Sequence, residues 1–260
     1  MPTSVILIHG EFLSPDCWQG WQQRFEKAGY PCLAPAWPGH DRPVGELRRE
    51  PDPRLRSLGV GDLVDHYASL IAGLPAPPIL IGHSIGGLVM QMLLDRGLGL
   101  AGVGLAPLPP RGALPGLSLR GPLLASLLVL GGWRRSRALG LRGFSRRVAH
   151  TLSAAEQAEI HQRFLVPAAR RLVVEAALGI GTAIDFANPG RAPLLLVGGE
   201  EDRILEPSAL RALYRAHLRS PAETALRLLP RRSHWLLTET GWETLADFCL
   251  AWADTHATTV

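Results

Sequence analysis

Ser84 lies at the centre of a G-x-S-x-G pattern formed by residues 82–86, a spacing that equips a serine for nucleophilic chemistry. The apolar run 79–81 precedes this pattern, and an apolar helical pattern follows it. The turn from strand to helix is so tight that bulky neighbours would collide, and it leaves the serine oxygen exposed at the tip. Backbone N–H groups at the start of the helix then face any negative charge that develops there. The pattern therefore predicts that Ser84 is a nucleophile.

A serine nucleophile of this kind needs two later partners in the chain, first an acid and then a histidine. Asp202 follows the apolar run 193–199, and His234 lies in a loop after the run 225–229. Both come just after predicted parallel strands, at the edge where open α/β sheets carry their sites. We expect His234 to take the proton from Ser84 and Asp202 to orient the imidazole. The two glutamates directly before Asp202 are the neighbouring alternatives for the acid.

The loop after the first predicted strand supplies the last part of such a site. A tetrahedral oxyanion needs two preorganised N–H donors, one from the residue after the nucleophile and one from this loop. We expect the backbone N–H groups of Ile85 and Glu11 to be these donors, with Phe12 as the alternative to Glu11. We interpret His9 as a residue that braces the loop.

Four further side chains are candidates for contact with a substrate, because they flank these groups or lie in the segment that we expect to cover them. They are Phe12, His83, Trp133 and Trp235.

Apolar runs that alternate with helical patterns indicate an α/β fold with a parallel sheet and helices on both faces. Strands are expected at 5–8, 32–34, 79–81, 101–105, 194–197 and 225–229. Helices are expected near 15–29, 61–73, 85–96, 207–219 and 240–255. The stretch 40–60 is rich in arginine and proline, and we expect a long surface loop there.

Residues 108–187 interrupt this alternation and indicate a mostly helical cap inserted after the fourth strand. The core domain would then consist of residues 1–107 and 188–260. Ser153 and Glu156 have the spacing of a capping box, which predicts a helix from about residue 154. Pro167 is expected to end that helix or to open the next one, which would run to about residue 179.

The first half of the predicted cap is strongly apolar, which favours an apolar acyl or alkyl group in the substrate over a sugar or a free amino acid. From Arg96 to Ala155 the chain also carries nine arginines and no acidic residue. Such a run is typical of a solvated helix face. Attraction of an anionic substrate and transient contact with an anionic membrane surface are the alternatives.

Composition excludes several other classes of function. The 260 residues, 47% of them hydrophobic, suit one α/β domain with an inserted subdomain. No run reaches the roughly 18 apolar residues of a membrane span, and no secretion signal is visible, so we expect a cytoplasmic protein without stable membrane insertion. The three cysteines lack metal-ligand spacing, and neither a metal nor a nucleotide motif occurs, so no cofactor is expected. No nucleic-acid-binding motif accompanies the arginines, and the oligomeric state stays open.

Several short motifs occur in the order typical of α/β-hydrolases. They are His9-Gly10, the segments 37–40, 82–87 and 199–202, and Ser233-His234-Trp235. The chain resembles that superfamily over residues 1–107 and 188–256, and in particular its small serine esterase and hydroxynitrile-lyase-like group. The resemblance implies a mostly parallel six-stranded sheet, a catalytic triad, an oxyanion hole and a cap. It also implies a carboxylesterase or lactonase that acts on a small-molecule ester or lactone.

Two residues limit what this resemblance implies. The family usually has a small or uncharged residue where this chain has Glu11, whose side chain would point away, pair with an arginine or contact the substrate. Hydroxynitrile lyases use a lysine near the site, but the only lysine here is Lys27, far from the cap in sequence.

The residue at position 84 argues against some of the other reactions that this fold catalyses, and leaves others open. Dehalogenases and epoxide hydrolases need an aspartate where this chain has Ser84. Carbon–carbon hydrolysis, perhydrolysis and cofactor-independent dioxygenation keep a similar triad and stay open. A different class of function, a slow-turnover or non-hydrolytic sensor of small molecules, also stays open.

Overall fold

The computed structural model of the protein describes residues 3–113 and 136–257. Its strands are β1 (Val5–Ile8), β2 (Cys32–Leu33), β3 (Ile79–His83), β4 (Ala101–Leu105), β5 (Ser136–Arg137), β6 (Ala168–Ala169), β7 (Leu194–Gly199) and β8 (Thr224–Leu229). Six of them form one sheet in the order β2-β1-β3-β4-β7-β8, and every pair in it is parallel. β5 and β6 form a separate antiparallel pair.

The helices are α1 (Gln19–Lys27), α2 (Val44–Arg49), α3 (Val60–Ala72), α4 (Ile85–Asp95), α5 (Leu141–Arg147), α6 (Ala154–Phe164), α7 (Arg170–Leu178), α8 (Pro207–His217) and α9 (Trp242–Ala257). Short 3₁₀ helices lie at Pro15–Trp18 and Pro53–Arg56.

Helices cover both faces of the large sheet. Successive side chains of a strand point to opposite faces, so Val5 and Leu7 join the core beneath α1 and α9. Ile6 and Ile8 join the opposite core, which is formed with α3, α4 and α8. Both faces of the central strands are therefore buried, which is why these strands are continuous apolar runs without polar alternation.

The register of the sheet brings the ends of its strands to one edge. Ile8 of β1 pairs with Gly82 of β3, and Gly199 of β7 pairs with Leu229 of β8. The predicted site residues follow these strand ends: Glu11, Ser84, Asp202 and His234.

All six strands predicted for the sheet are confirmed, and β3 extends two residues farther, to His83. The long helix predicted near 15–29 is divided into the 3₁₀ helix Pro15–Trp18 and α1. The surface loop expected over 40–60 is wrong in part, since α2 and a second 3₁₀ helix lie there. The physical reason is burial of Leu47 and Leu55, which anchor the two helices against the core.

A helical insert follows β4, as predicted. Its described part, residues 136–187, contains α5, α6 and α7 together with the pair β5–β6. The capping box at the start of α6 is present: the backbone N–H of Glu156 donates to Ser153 Oγ over 3.3 Å, and that of Ser153 donates to Glu156 Oε2 over 2.8 Å. Pro167 lies between α6 and α7. The apolar half of the predicted cap, including Trp133, lies outside the described residues, and the domain boundaries proposed from the sequence stay predictions.

Within the two described ranges, no helix has the length and apolarity needed to cross a membrane.

Candidate active site

Ser84 lies in the turn between β3 and α4 with a backbone conformation that L-residues rarely adopt, φ 55° and ψ −118°. The flanking glycines make this turn possible. A Cβ added at Gly82 would lie 2.3 Å from the carbonyl oxygen of Gly86, and one added at Gly86 would lie 2.2 Å from that of Ile8. Neither position has room for a side chain, so the turn holds the serine in a strained conformation at the edge of the sheet.

His234 and Asp202 complete a continuous line of contacts with this serine. His234 Nε2 lies 3.1 Å from Ser84 Oγ, and Nδ1–H of the same ring donates to Asp202 Oδ2 over 2.8 Å. A carboxylate only accepts hydrogen bonds, so this contact places a proton on Nδ1 and turns the other ring nitrogen toward the serine. A hydroxyl, an imidazole and a carboxylate in this order can act as a nucleophile, a base and an acid that orients the base.

Asp202 is itself held in place by the backbone. Its Oδ1 accepts hydrogen bonds from the N–H groups of Ile204, over 2.7 Å, and Leu205, over 2.9 Å. The residue is 4% exposed, and its other oxygen contacts His234. The carboxylate therefore has a defined position before any substrate arrives.

Opposing effects act on the pKa of His234. Burial lowers the pKa, whereas the charge of Asp202, its hydrogen bond and, to a smaller extent, the charge of Glu11 raise it. The two carboxylates prevail, so the pKa of His234 lies above its ordinary value. A base must be unprotonated to accept a proton, so this imidazole becomes competent as the pH rises through its pKa.

The side chain of Glu11 lies against the Ser84 hydroxyl, which the sequence did not indicate. The Ser84 hydroxyl donates to Glu11 Oε2 over 3.1 Å. The serine therefore lies between His234 Nε2 and a second carboxylate at equal distances. A serine hydroxyl has one hydrogen, so these two acceptors compete for it whenever His234 is neutral.

The loop that carries Glu11 is fixed by backbone contacts with the insert. The N–H of Val166 donates to the carbonyl oxygen of Phe12 over 2.8 Å, and the N–H of Ser14 donates to that of Phe164 over 2.9 Å. Phe12 has a φ of 62° and is half-buried. The loop and the insert thus form one hydrogen-bonded unit beside the serine.

The two predicted oxyanion donors lie on the elements expected. Ile85 is the first residue of α4, so its backbone N–H has no acceptor within the helix. Glu11 lies in the loop after β1, next to Gly10, whose added Cβ would lie 3.1 Å from Ser84 Cβ.

His9 lies behind this loop in a stack of rings. It is fully buried, and its ring centroid lies 4.3 Å from that of Trp37, which is followed in the stack by His40. Its Nε2 accepts from the backbone N–H of Trp37 over 3.4 Å, and its Nδ1–H donates to the carbonyl oxygen of Gly10 over 3.0 Å. These contacts fit the interpretation that His9 braces the loop.

The other predicted substrate contacts lie in different surroundings. His83 is buried and donates through Nε2 to the carbonyl oxygen of His234 over 3.0 Å, and burial lowers the pKa of His83 to about 3. Trp235 is fully buried between Phe144 and Phe164, which are residues of the insert. Phe12 lies beside Glu11, and Trp133 is outside the described residues. Substrate contact by these four side chains stays a prediction.

Glu239 is a residue of the site region that the sequence did not single out. It is 2% exposed, and its Oε1 accepts from the hydroxyl of Ser233 over 2.5 Å, from the backbone N–H of Ser233 and from the hydroxyl of Thr151. Arg232 lies 3.6 Å from its other oxygen. Glu239 thus ties the loop of His234 to the insert, and no motif marks a glutamate in such a position.

No group of three or more histidine, cysteine, aspartate or glutamate side chains that could hold a metal ion occurs in the part of the chain that the structure describes.

Comparisons with known proteins agree with this fold. The sequence model of the alpha/beta hydrolase family matches residues 5–248, and the chain belongs to that family. A search of curated proteins finds no match.

Solved structures share the fold at low sequence identity. A monoacylglycerol lipase of Paleococcus ferrophilus is 20% identical with a TM-score of 0.71, and the alignment covers 98% of this chain and 97% of the lipase. An Arabidopsis methylesterase is 17% identical with a TM-score of 0.70, over 97% of this chain and 99% of the other. Tomato methylketone synthase I, in complex with 2-tridecanone, is 16% identical with a TM-score of 0.68, over 98% and 99%.

Proposed function

We propose that this protein is a serine hydrolase that cleaves a carboxylic ester or a lactone with an apolar acyl or alkyl part, through an acyl-enzyme on Ser84. The observation that carries the proposal is the unbroken line of contacts from Asp202 through His234 to Ser84. The names of two structural neighbours, a lipase and a methylesterase, support ester substrates as the first class to test.

In the first half of the proposed reaction, Ser84 Oγ attacks the carbonyl carbon and its proton passes to Nε2 of His234. Asp202 orients the imidazole and stabilises the cation that forms. The carbonyl oxygen becomes an oxyanion, to which the backbone N–H groups of Ile85 and Glu11 donate. The intermediate collapses, the alkoxide leaves with the proton from His234, and the acyl group stays on Ser84.

In the second half, water attacks the acyl carbon while His234 accepts one of its protons. The second intermediate releases the carboxylic acid, and His234 returns the proton to Ser84 Oγ. One ester and one water thus give one acid and one alcohol, or a single hydroxy acid when the substrate is a lactone. A helical insert over the site would exclude bulk water and strengthen the hydrogen bonds to the oxyanion.

The expectation of an apolar substrate rests on the sequence of the insert. Residues 114–130 contain eight leucines, and such side chains favour an acyl or alkyl chain over a sugar.

A second candidate, a slow-turnover sensor of small molecules, is favoured by the position of Glu11. A carboxylate 3.1 Å from the nucleophile opposes the negative charge that develops on the substrate during hydrolysis. Such a site would hold a ligand near Ser84 and release a product rarely.

A panel of p-nitrophenyl esters and lactones separates the two candidates, with Ser84→Ala as the matched control. A fluorophosphonate probe first verifies that Ser84 is reactive. We expect many turnovers per enzyme on at least one apolar ester, and their loss in Ser84→Ala. Labelling of Ser84 without multiple turnover on any member of the panel would contradict the hydrolase and support the sensor.

A further inference from the structure

The feature that the proposed reaction leaves unexplained is the carboxylate of Glu11. It is half-buried, and within the described residues it accepts one side-chain hydrogen bond, from the Ser84 hydroxyl. No ion pair with an arginine or lysine among residues 3–113 and 136–257 includes it. The sequence left open that this side chain points away from the site or pairs with an arginine. Among the described residues it does neither and contacts Ser84 instead.

The position of this carboxylate is set by a constrained loop. Gly10 lies so close to the elbow that an added Cβ would be 2.9 Å from His83 Nδ1 and 3.1 Å from Ser84 Cβ. On the other side of Glu11, the carbonyl oxygen of Phe12 accepts from Val166. With both neighbours held, the main chain at Glu11 has little freedom, and the hydrogen bond from the Ser84 hydroxyl places its side chain beside the serine.

Acylation changes what this carboxylate can bind. The Ser84 oxygen loses its hydrogen when it becomes an ester oxygen, so it stops donating to Glu11 Oε2. A partly buried carboxylate without a donor is unfavourable, and the acyl group that has just arrived lies closest to it. A hydrogen-bond donor on the acyl group would take the place of the Ser84 hydroxyl and donate to Glu11 Oε2 in the acyl-enzyme.

The distance limits where that donor can be. Glu11 Oε2 lies 3.1 Å from Ser84 Oγ. A heteroatom on the carbon next to the bound carbonyl is three bonds from Oγ, about 3 Å away, so rotation about the bond between that carbon and the carbonyl can bring it within hydrogen-bond distance of the carboxylate. A donor farther along the acyl chain reaches the carboxylate only if the chain folds back, which costs conformational entropy.

We propose that Glu11 is a specificity-determining residue that selects esters with a hydrogen-bond donor, a hydroxyl or an amino group, on the carbon next to the scissile carbonyl. The inference rests on the proposed hydrolase function and names its substrate class as esters of apolar 2-hydroxy or 2-amino acids. With carboxylates at both ends of the Ser84–His234 pair, an ammonium donor is bound more strongly than a hydroxyl, and a substrate carboxylate at the same carbon is repelled.

Matched substrates test this selection directly. The p-nitrophenyl esters of 2-hydroxyhexanoate and 2-methoxyhexanoate have similar inductive effects at the carbonyl, but only the first has a donor. We expect the wild-type protein to favour the hydroxy ester in kcat/KM by about 10- to 100-fold, since a hydrogen bond to a charged group has this effect. In Glu11→Met, which removes both acceptor oxygens at similar length, we expect the ratio to approach 1.

The controls keep the result interpretable. Glu46→Met removes an exposed glutamate of α2 and should leave the ratio unchanged. Thermal unfolding shows whether Glu11→Met is folded. If it is not, Glu11→Gln, which removes the charge, is used instead. This variant should lower the ratio of kcat/KM for the 2-amino ester to that for the 2-methoxy ester. Equal hydrolysis of the hydroxy and methoxy esters by the wild type would overturn the inference and leave the hydrolase intact. Hydrolysis of no ester by a protein whose Ser84 reacts with fluorophosphonate would overturn both.

Discussion

Two carboxylates lie at opposite ends of the Ser84–His234 pair, and the protein holds them in different ways. Asp202 is 4% exposed and accepts from two backbone N–H groups and from His234. Glu11 is half-buried and has the serine hydroxyl as its one side-chain partner within the described part of the chain. A carboxylate held by three hydrogen bonds can orient its neighbour, whereas one that accepts a single hydrogen bond has sites left for a further donor. The comparison supports the proposed roles, in which Asp202 positions the imidazole and Glu11 binds substrate.

The largest expected effect on activity is from a change at Asp202. Asp202→Asn should lower kcat on the best ester of the panel by about 10³- to 10⁴-fold, because an amide can donate to Nδ1 and favour the wrong tautomer of His234. Steady-state kinetics measure this loss. Glu200→Gln, at an exposed position two residues earlier, should have no such effect. A loss of less than tenfold for Asp202→Asn would mean that another group orients the imidazole.

A smaller effect on activity is expected from a change at Glu239, which holds the loop that carries His234. Glu239→Gln weakens contacts with Ser233 and Thr151, so we expect kcat to fall by about 10- to 100-fold at nearly constant KM as His234 shifts. The free energy of unfolding should fall by about 1–3 kcal/mol, measured by denaturant titration. Glu243→Gln on the exposed side of α9 is the matched control. A rise in KM with kcat unchanged would argue against positioning.

The smallest expected effect is from a change at Glu11, which should shift the pH profile of the activity. Burial lowers the pKa of His234, and the charges of Asp202 and Glu11 raise it. Removal of one raising charge in Glu11→Gln lowers the pKa, so the unprotonated base persists to lower pH. The acidic limb of kcat/KM should therefore move to lower pH relative to the wild type. A limb that stays in place or moves to higher pH would show that Glu11 does not act on His234.

Much of the fold could be predicted because its signals are local. The central strands are uninterrupted apolar runs, and glycine, serine and histidine occur where strands end. The structure brings the side chains of Ser84, Asp202 and His234 into contact, as the order of the motifs led us to expect.

The parts that sequence reasoning missed depend on contacts between distant segments. The Glu11 side chain contacts Ser84, 73 residues later in the chain, and its loop is held by a backbone hydrogen bond from Val166, some 150 residues later. In the sequence, Glu239 resembles any glutamate of the protein surface, and only the structure shows that it is buried and accepts a hydrogen bond from Ser233. The helices within 40–60 depend on burial of Leu47 and Leu55 against other elements. None of these contacts has a local pattern.

The central claim is that Ser84 forms the covalent intermediate, and trapping that intermediate tests it most directly. The protein is mixed with a p-nitrophenyl ester, quenched in acid within milliseconds, digested and mapped by mass spectrometry. We predict that the acyl group is found on the peptide that contains Ser84, bound to the serine, and that it is absent from Ser84→Ala. Turnover of the ester with the acyl group on another residue, or with no covalent adduct at all, would contradict the claim.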